Sequence, residues 1–151
     1  MVAQIKKLYP NAKIPQKAHE SDAAFDLYAY FDESATDGDV EGIPPGQTCR
    51  IGTGISITPP PGYFGAIFAR SGLSVKQGLR LANSVAVMDP GYTGEYIVAL
   101  HNDSKDTQVI GHGDRIAQLM FLPIADVQFE EVDELADSDR LSGGFGSSGT
   151  K

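Results

Sequence analysis

The 151-residue sequence contains one cysteine, few basic residues and no long apolar run. Because Cys49 is alone, no disulfide can form within the chain, which favours a reducing compartment. We interpret Cys49 as a small packing residue rather than a nucleophile. Residues 1–7 lack the apolar run of a signal peptide, and no stretch reaches membrane-spanning length. These absences favour a cytoplasmic protein, or one that acts inside an infected host cell.

Positive charge is scarce as well. Lysine and arginine number 12 against 20 aspartates and glutamates, which gives a formal net charge of −8. Nucleic acids and anionic membrane surfaces select basic faces, so neither is expected as a partner. A small anion held by a few local arginines and a metal ion remains compatible with this charge.

The common nucleotide-binding and metal-binding motifs are missing. There is no Walker A motif, and the three histidines have no metal-ligand spacing. Residues 144–149 match G-x-G-x-x-G, but that fingerprint must follow a strand and begin a helix. Only two residues follow it in this chain, so we expect no Rossmann site. Phosphate binding would have to rest on scattered arginine, serine and glycine residues.

Glycine and proline are plentiful, with 17 and 9 copies, and they separate short segments rich in β-branched and aromatic residues. Such segments are typical of strands. The strands predicted in this way are residues 49–51, 55–58, 63–69, 95–101 and 115–122. The last two carry apolar residues on both faces, which predicts burial on both sides.

Helical periodicity is weak, and only residues 71–77 predict a short helix, with Ser71 as N-cap and Gly78 as its end. The length and the absence of a linker indicate one domain. The sequence therefore predicts an all-β barrel or sandwich over residues 1–139. Residues 140–151 are predicted to form a flexible C-terminal arm.

Two segments carry candidate phosphate-binding groups. Arg70-Ser71-Gly72 follows an apolar strand and begins the predicted helix, where a hydroxyl and free N–H groups bind anions. The alternative is that Ser71 only caps the helix. Gln118 lies among apolar neighbours and needs a hydrogen-bond partner if it is buried, either the backbone or a ligand phosphate.

Asp89 and Tyr92 form a second candidate group. Aspartate before Pro-Gly usually forms a turn, but Asp89 also ends an apolar run. It could therefore lie at the rim of a pocket and take a proton from water. Tyr92 could pack on a sugar, or it could belong to ordinary rim or core packing.

The Gly-rich tail combines an arginine, a phenylalanine and serines within residues 140–149. Arginine offers a fork to phosphate, phenylalanine offers a flat face to a base, and glycine lets the backbone approach a ligand. This combination suggests an arm that closes over a nucleotide. The alternative is a terminus of small residues with no role.

Taken in order, five segments resemble the motifs of the trimeric dUTPase family, and together they span nearly the whole chain. They are AAFDLYA at 23–29, RSGL at 70–73, NSVAVMDPGYTGE at 83–95, GDRIAQ at 113–118 and RLSGGFGSSG at 140–149. The resemblance implies a jelly-roll, β-barrel-like homotrimer whose three active sites each combine more than one subunit. It also implies Mg²⁺-dependent hydrolysis of dUTP to dUMP and pyrophosphate. That activity limits uracil incorporation into DNA and supplies dUMP for dTMP synthesis.

The same resemblance implies a role for each site residue. Asp89 is the general base that activates water for attack on the α-phosphorus, and Asp26 contacts the metal through water. The substrate contacts implied are Asn83 with uracil, Tyr92 with deoxyribose, where it excludes a 2′-hydroxyl, Arg70, Ser71 and Gln118 with phosphates, Arg140 and Ser148 with the terminal phosphate, and Phe145 over the uracil. Gly72, Gly146 and Ser147 are implied as further substrate-binding residues.

The chain departs from the family pattern at Ala86 and Leu141, where the family often has glycine. Ala86 lies in the expected uracil hairpin, and Leu141 follows the arginine of the arm. The nearest rival is a dCTP deaminase of the same superfamily, but residues 83–86 lack the glutamate which that chemistry needs. A non-enzymatic regulatory trimer is the other alternative, and Asp89 with the arm argues against binding alone.

Overall fold

A computed structural model describes residues 1–31 and 40–136, and within them it has eleven strands and one short helix. The helix, α1, is a single π-type turn at Leu73–Gln77. None of the helical residues in these ranges forms a segment long and apolar enough to cross a membrane. The strands are β1 (Gln4–Lys7), β2 (Phe25–Tyr28), β3 (Val40–Ile43), β4 (Thr48–Gly52), β5 (Ile55–Thr58), β6 (Tyr63–Phe68), β7 (Leu79–Leu81), β8 (Ala86–Met88), β9 (Ile97–Asn102), β10 (Gln108–Gly111) and β11 (Arg115–Pro123).

The strands pair into four antiparallel sheets. The largest has the order β2-β11-β6-β8, and a three-stranded sheet has the order β4-β9-β7. Two further pairs, β1-β5 and β3-β10, complete the arrangement. Their inward faces share one apolar core, which includes Leu27, Ile67, Leu100 and Leu119. The all-β prediction is confirmed.

All five predicted strands are present, with ends within two residues of the prediction. Six more strands, each of three or four residues, were not predicted from the sequence: β1, β2, β3, β7, β8 and β10. A strand this short has too few residues to display a clear alternation. β1, for example, reads Gln-Ile-Lys-Lys and is exposed along its length.

The prediction that β9 is buried on both faces is wrong for this chain. Val98, Leu100 and Asn102 point inward, while Ile97 is 42% exposed. β11 also departs from the regular alternation of side chains along a strand. A register shift between Arg115 and Ala117 turns both Ile116 and Ala117 into the core, so Ala117 does not share the exposed side of Arg115.

The predicted helix is present, but its predicted cap is wrong. Ser71 and Gly72 are themselves helical and lead directly into α1, so Ser71 lies inside the helical segment rather than before it. No side-chain cap hydrogen bond is formed at the start of α1. The helix does end at Gly78, whose φ of 70° is left-handed and whose N–H donates to the Leu73 carbonyl.

Cys49 is half-buried and packs against the core. Burial, and to a lesser extent the Glu41 carboxylate, raise the pKa of the Cys49 thiol. A raised pKa leaves little of the thiolate, which is the nucleophilic form. The structure therefore fits the interpretation of Cys49 as a packing residue.

Tyr96 brings a polar atom into the core. The residue is 0% exposed, and its hydroxyl has no hydrogen-bond partner among the described residues. The hydroxyl lies close to Gly65, where an added Cβ would be 3.4 Å from it. Burial, followed by the influence of Tyr92, raises the pKa of Tyr96 to about 12. An unpaired buried hydroxyl is destabilising, since it has lost its bonds to water.

We expect Tyr96→Phe to raise the free energy of unfolding by about 1 kcal/mol at neutral pH, because it removes this unpaired group. Above pH 10 the gain should grow. The unfolded tyrosine loses its proton first, so the wild type loses up to about 1.4 kcal/mol of stability per pH unit until its folded pKa is reached. Urea unfolding of both proteins at pH 7 and pH 11 measures this. A variant that is less stable at pH 7 would contradict the assignment.

Candidate active site

Sheet register brings Asp26, which is predicted to contact the metal, together with the predicted phosphate ligands Gln118 and Arg70. In the order β2-β11-β6, Asp26 lies opposite Gln118, and Gln118 lies opposite Phe68. Arg70 follows β6 two residues after Phe68. These three side chains line a cavity of about 340 Å³. The cavity is formed by Ala18, Asp22, Ala23, Ala24, Asp26, Arg70, Arg115, Gln118 and Met120.

Asp26 is the centre of an ion-pair network in this cavity, and only 7% of it is exposed. Its Oδ1 accepts a hydrogen bond from Arg70 Nε at 3.0 Å, and its Oδ2 accepts one from Arg115 Nη1 at 3.2 Å. Arg70 Nη1 also donates to the Arg115 carbonyl at 3.1 Å. These bonds fix the direction of two guanidinium groups, the side chains best suited to bidentate binding of phosphate.

Arg115 also lines this cavity, but the sequence did not predict it as a site residue. It lies in the GDRIAQ motif, but its role there could not be read from strand alternation. One signal was available: Arg115 is a basic residue in the same motif as Gln118, in a protein whose net charge is −8. Ser71 and Gly72 are exposed in the helical residues that lead into α1, directly after Arg70.

The second predicted group lines a separate cavity of about 260 Å³. Its walls come from the segment before β8, from β8 itself and from the loop that follows. The lining residues are Asn83, Ala86, Val87, Met88, Asp89, Tyr92, Glu95 and Ile97. The structure therefore brings Asn83, Asp89 and Tyr92 to one cavity.

The Asn83 segment is not a hairpin. β7 pairs with β9 and β8 pairs with β6, so the segment connects two different sheets. It turns sharply at Ser84, which has a φ of 61°, and Val85 N–H donates to the Asn83 carbonyl at 2.6 Å. Ala86 lies in β8 opposite Ile67, where its methyl group needs no special backbone conformation. The departure at Ala86 is thus accommodated by ordinary strand geometry.

Asp89 follows β8 directly, with its carboxylate exposed at the rim of this cavity. Its carbonyl accepts the N–H of Tyr92 at 3.0 Å, so Asp89 also forms a turn. Tyr92 is 42% exposed and belongs to the rim rather than to the core. A carboxylate in contact with water beside a cavity can act as a general base.

No residue lines both cavities, so the Asp26 group and the Asp89 group lie in two separate cavities, named the Asp26 half-site and the Asp89 half-site. The predicted residues Arg140, Phe145, Gly146, Ser147 and Ser148 lie outside the described residues, as does Leu141. In residues 1–31 and 40–136, no group of three histidine, cysteine or acidic side chains could hold a metal ion by itself.

A larger cavity of about 550 Å³ lies near β1, and it contains none of the predicted site residues. Its two lysines are occupied by backbone carbonyls, since Lys7 Nζ donates to Pro10 at 2.8 Å and Lys13 Nζ donates to Gly113 at 3.3 Å. Size alone therefore does not make this cavity the better candidate site.

Comparison with known proteins places this architecture in a family. The dUTPase family model matches residues 10–149. The deoxyuridine 5'-triphosphate nucleotidohydrolase of Desulfitobacterium hafniense is 45% identical over 138 residues, which cover 91% of this chain and 87% of the relative. The enzyme of the same name from Rhodococcus erythropolis is 42% identical over 146 residues, with 96% and 84% covered.

Among solved structures, the dUTPase of Staphylococcus bacteriophage 80alpha with dUPNHPP is similar at a TM-score of 0.81. It is 28% identical, and the alignment covers 98% of both chains. The fold is thus the jelly-roll of dUTPases, as the resemblance implied. Together, the matched motifs, the close relatives and the shared architecture show that this chain belongs to the dUTPase family.

Proposed function

We propose that this protein hydrolyses dUTP to dUMP and pyrophosphate, with Asp89 as the general base. The observation that carries the proposal is the exposed Asp89 carboxylate at the rim of the cavity that also contains Asn83 and Tyr92. The names of the relatives and the dUPNHPP bound to the phage enzyme support the same substrate. In the cytoplasm, or in an infected host cell, this reaction limits uracil incorporation into DNA and supplies dUMP for dTMP synthesis.

The mechanism is a direct displacement by water. Asn83 and the neighbouring backbone bind the uracil edge, and the Tyr92 ring packs on the deoxyribose. Asp89 accepts a proton from a water molecule as that water attacks the α-phosphorus. The bond from the α-phosphorus to the bridging oxygen breaks, and pyrophosphate leaves. Phosphoryl chemistry depends mainly on positioning and charge stabilisation, so one base and several phosphate ligands suffice.

The phosphate ligands come from the Asp26 half-site. Arg70, held by Asp26, is directed towards phosphate oxygens together with Gln118, Ser71 and the Gly72 backbone. We further propose that residues 140–151 form an arm that completes the site. Arg140 and Ser148 bind the terminal phosphate with Gly146 and Ser147, while Phe145 covers the uracil. Closure of such an arm excludes water from the reacting groups.

Magnesium is expected to bind at this site together with the substrate. A triphosphate supplies most of the oxygen ligands that Mg²⁺ prefers, so the protein needs few of its own. Asp26 is expected to contact the ion through water, since the two arginine cations bonded to its carboxylate disfavour direct coordination of a further cation. When bound, the ion neutralises charge on the phosphates. The donor set of this half-site therefore suits a substrate-borne Mg²⁺ better than a resident metal.

A homotrimer would unite the two half-sites, because residues from different subunits could face one another. Residues 124–136 support such an assembly. They contain no regular strand in the protomer, yet they expose Val127 by 63%, Phe129 by 100% and Leu135 by 87%. Exposed apolar side chains in such a row mark an interaction surface. We propose that this segment packs on a neighbouring subunit.

The Phe129→Asp variant should therefore dissociate at concentrations where the wild type remains trimeric. Loss of one buried phenylalanine costs about 2 kcal/mol per subunit. Sedimentation velocity across a dilution series measures the change, with Gln128→Asp as a control that adds the same charge at the neighbouring polar position. A Phe129→Asp protein as trimeric as the control would contradict this interface.

Hydrolysis of dUTP in ¹⁸O-labelled water tests the proposed reaction. Attack on the α-phosphorus places the label in dUMP and leaves pyrophosphate unlabelled. Label in pyrophosphate would show attack on the β-phosphorus and would overturn the proposed position of the Asp89-activated water. The absence of both products would overturn the proposed activity itself.

A further inference from the structure

We infer that Gly94 is a positioning residue for Tyr92, and that it thereby sets the selectivity for deoxyribose over ribose. This inference rests on the proposed function, in which the Tyr92 ring packs on the sugar. In this inference Gly94 determines where the Tyr92 ring packs, although Gly94 does not itself contact the substrate.

The space beside Gly94 is filled by the Tyr92 side chain. A Cβ added at Gly94 would lie 2.5 Å from the Tyr92 hydroxyl oxygen, 2.6 Å from Cζ and 3.0 Å from Cε2. Gly94 does not have a positive φ, so its backbone conformation is open to any residue. Glycine is therefore needed at position 94 because the tip of the Tyr92 ring occupies the space that a side chain would fill.

Two hydrogen bonds hold the tyrosine in this position. Its backbone N–H donates to the Asp89 carbonyl at 3.0 Å, and its hydroxyl donates to the Glu95 carbonyl at 2.8 Å. The first bond ties Tyr92 to the turn that carries the proposed base. The second can form only because the ring passes directly over Gly94 to reach the next residue.

The backbone beneath the ring is firmly anchored to the β4–β5 region. Glu95 Oε1 accepts the Gly54 N–H at 2.7 Å, and Ser56 Oγ donates to the Thr93 carbonyl at 2.9 Å. Thr53 Oγ1 donates to the Tyr96 carbonyl at 2.6 Å. Because these bonds fix both neighbours of Gly94, an added methyl group would displace the exposed tip of the ring rather than the backbone.

A displaced ring loses selectivity before it loses catalysis. Rejection of a 2′-hydroxyl depends on steric contact with the ring, and such contacts are sensitive to shifts of about 1 Å. The three atoms nearest to the added methyl group all belong to Tyr92, so the ring and not the Asp89 carboxylate is the group displaced first. The two functions of this turn are therefore separable by a single substitution.

Gly94→Ala tests the inference, with kcat/KM measured for dUTP and for UTP. We expect the ratio between the two substrates to fall by about 10-fold or more. Gly91→Ala is the matched control, because an added Cβ at Gly91 meets nothing within 4 Å. It should keep the wild-type ratio. Thermal unfolding of all three proteins shows whether each variant is folded.

A double-mutant cycle separates positioning from other effects. In the Tyr92→Ala background the ring is gone, so adding Gly94→Ala should leave the dUTP-to-UTP ratio unchanged. A further fall in that background would overturn the inference, as would an unchanged ratio in Gly94→Ala itself or an equal fall in Gly91→Ala. Failure of the proposed function has a different signature, since the wild type would then not hydrolyse dUTP.

Discussion

The Asp89→Asn variant should bind dUTP about as well as the wild type and lose about 10²- to 10⁴-fold in kcat, the usual contribution of a general base. Asparagine keeps the shape of the side chain but is a poor proton acceptor. Asp89 is exposed at the end of β8, so the substitution leaves no buried group without a partner. The fold and the rim of the cavity should therefore remain intact.

Single-turnover kinetics and equilibrium binding of a non-hydrolysable dUTP analogue separate the two effects. Asp106→Asn provides the control, because Asp106 is also exposed in a turn but lines neither half-site. It should retain wild-type kcat. Turnover in Asp89→Asn that equals this control would remove Asp89 from the mechanism, whatever the substrate proves to be.

Deletion of residues 140–151 should leave a folded trimer with kcat reduced by about 10³-fold or more, as loss of an arginine from a phosphoryl-transfer site does. The deletion spares all eleven described strands and the whole of residues 124–136, which carry the exposed apolar row. Assembly and catalysis should therefore separate in this variant. Binding of the nucleotide should weaken less than turnover, since the Asp26 and Asp89 half-sites remain.

Sedimentation velocity and steady-state kinetics on the same preparation measure both properties. Deletion of residues 150–151 alone is the control, because it keeps Arg140, Phe145 and the serines, and it should retain full activity. An active protein without residues 140–151 would contradict the proposed arm.

The fold class and most of the long strands could be predicted because turn residues bound them clearly. Residues 55–58 and 115–122 are framed by glycine and proline and contain β-branched residues that suit a sheet. The bulge between Arg115 and Ala117 could not be predicted, since it reflects how β11 pairs with β2. Nor could the sequence show that β7 and β8 belong to different sheets, which depends on their long-range partners.

The sequence predicted candidate site residues but not their arrangement. The resemblance supplied Asp26, Arg70 and Gln118, but it did not show that Arg115 shares the Asp26 carboxylate. Asp26 lies 44 residues from Arg70 and 89 residues from Arg115 in the chain. Only the order β2-β11-β6 brings them together. Tertiary pairing, rather than local sequence, decides which charges meet.

Product analysis in the presence of Mg²⁺, in separate reactions with dUTP, dCTP, dTTP and UTP, tests the central claim most directly. Our account predicts dUMP and pyrophosphate from dUTP, with the other three nucleotides left intact. Ammonia released from dCTP would contradict it and indicate a deaminase. Binding of dUTP without any turnover would also contradict it and would indicate a regulatory protein.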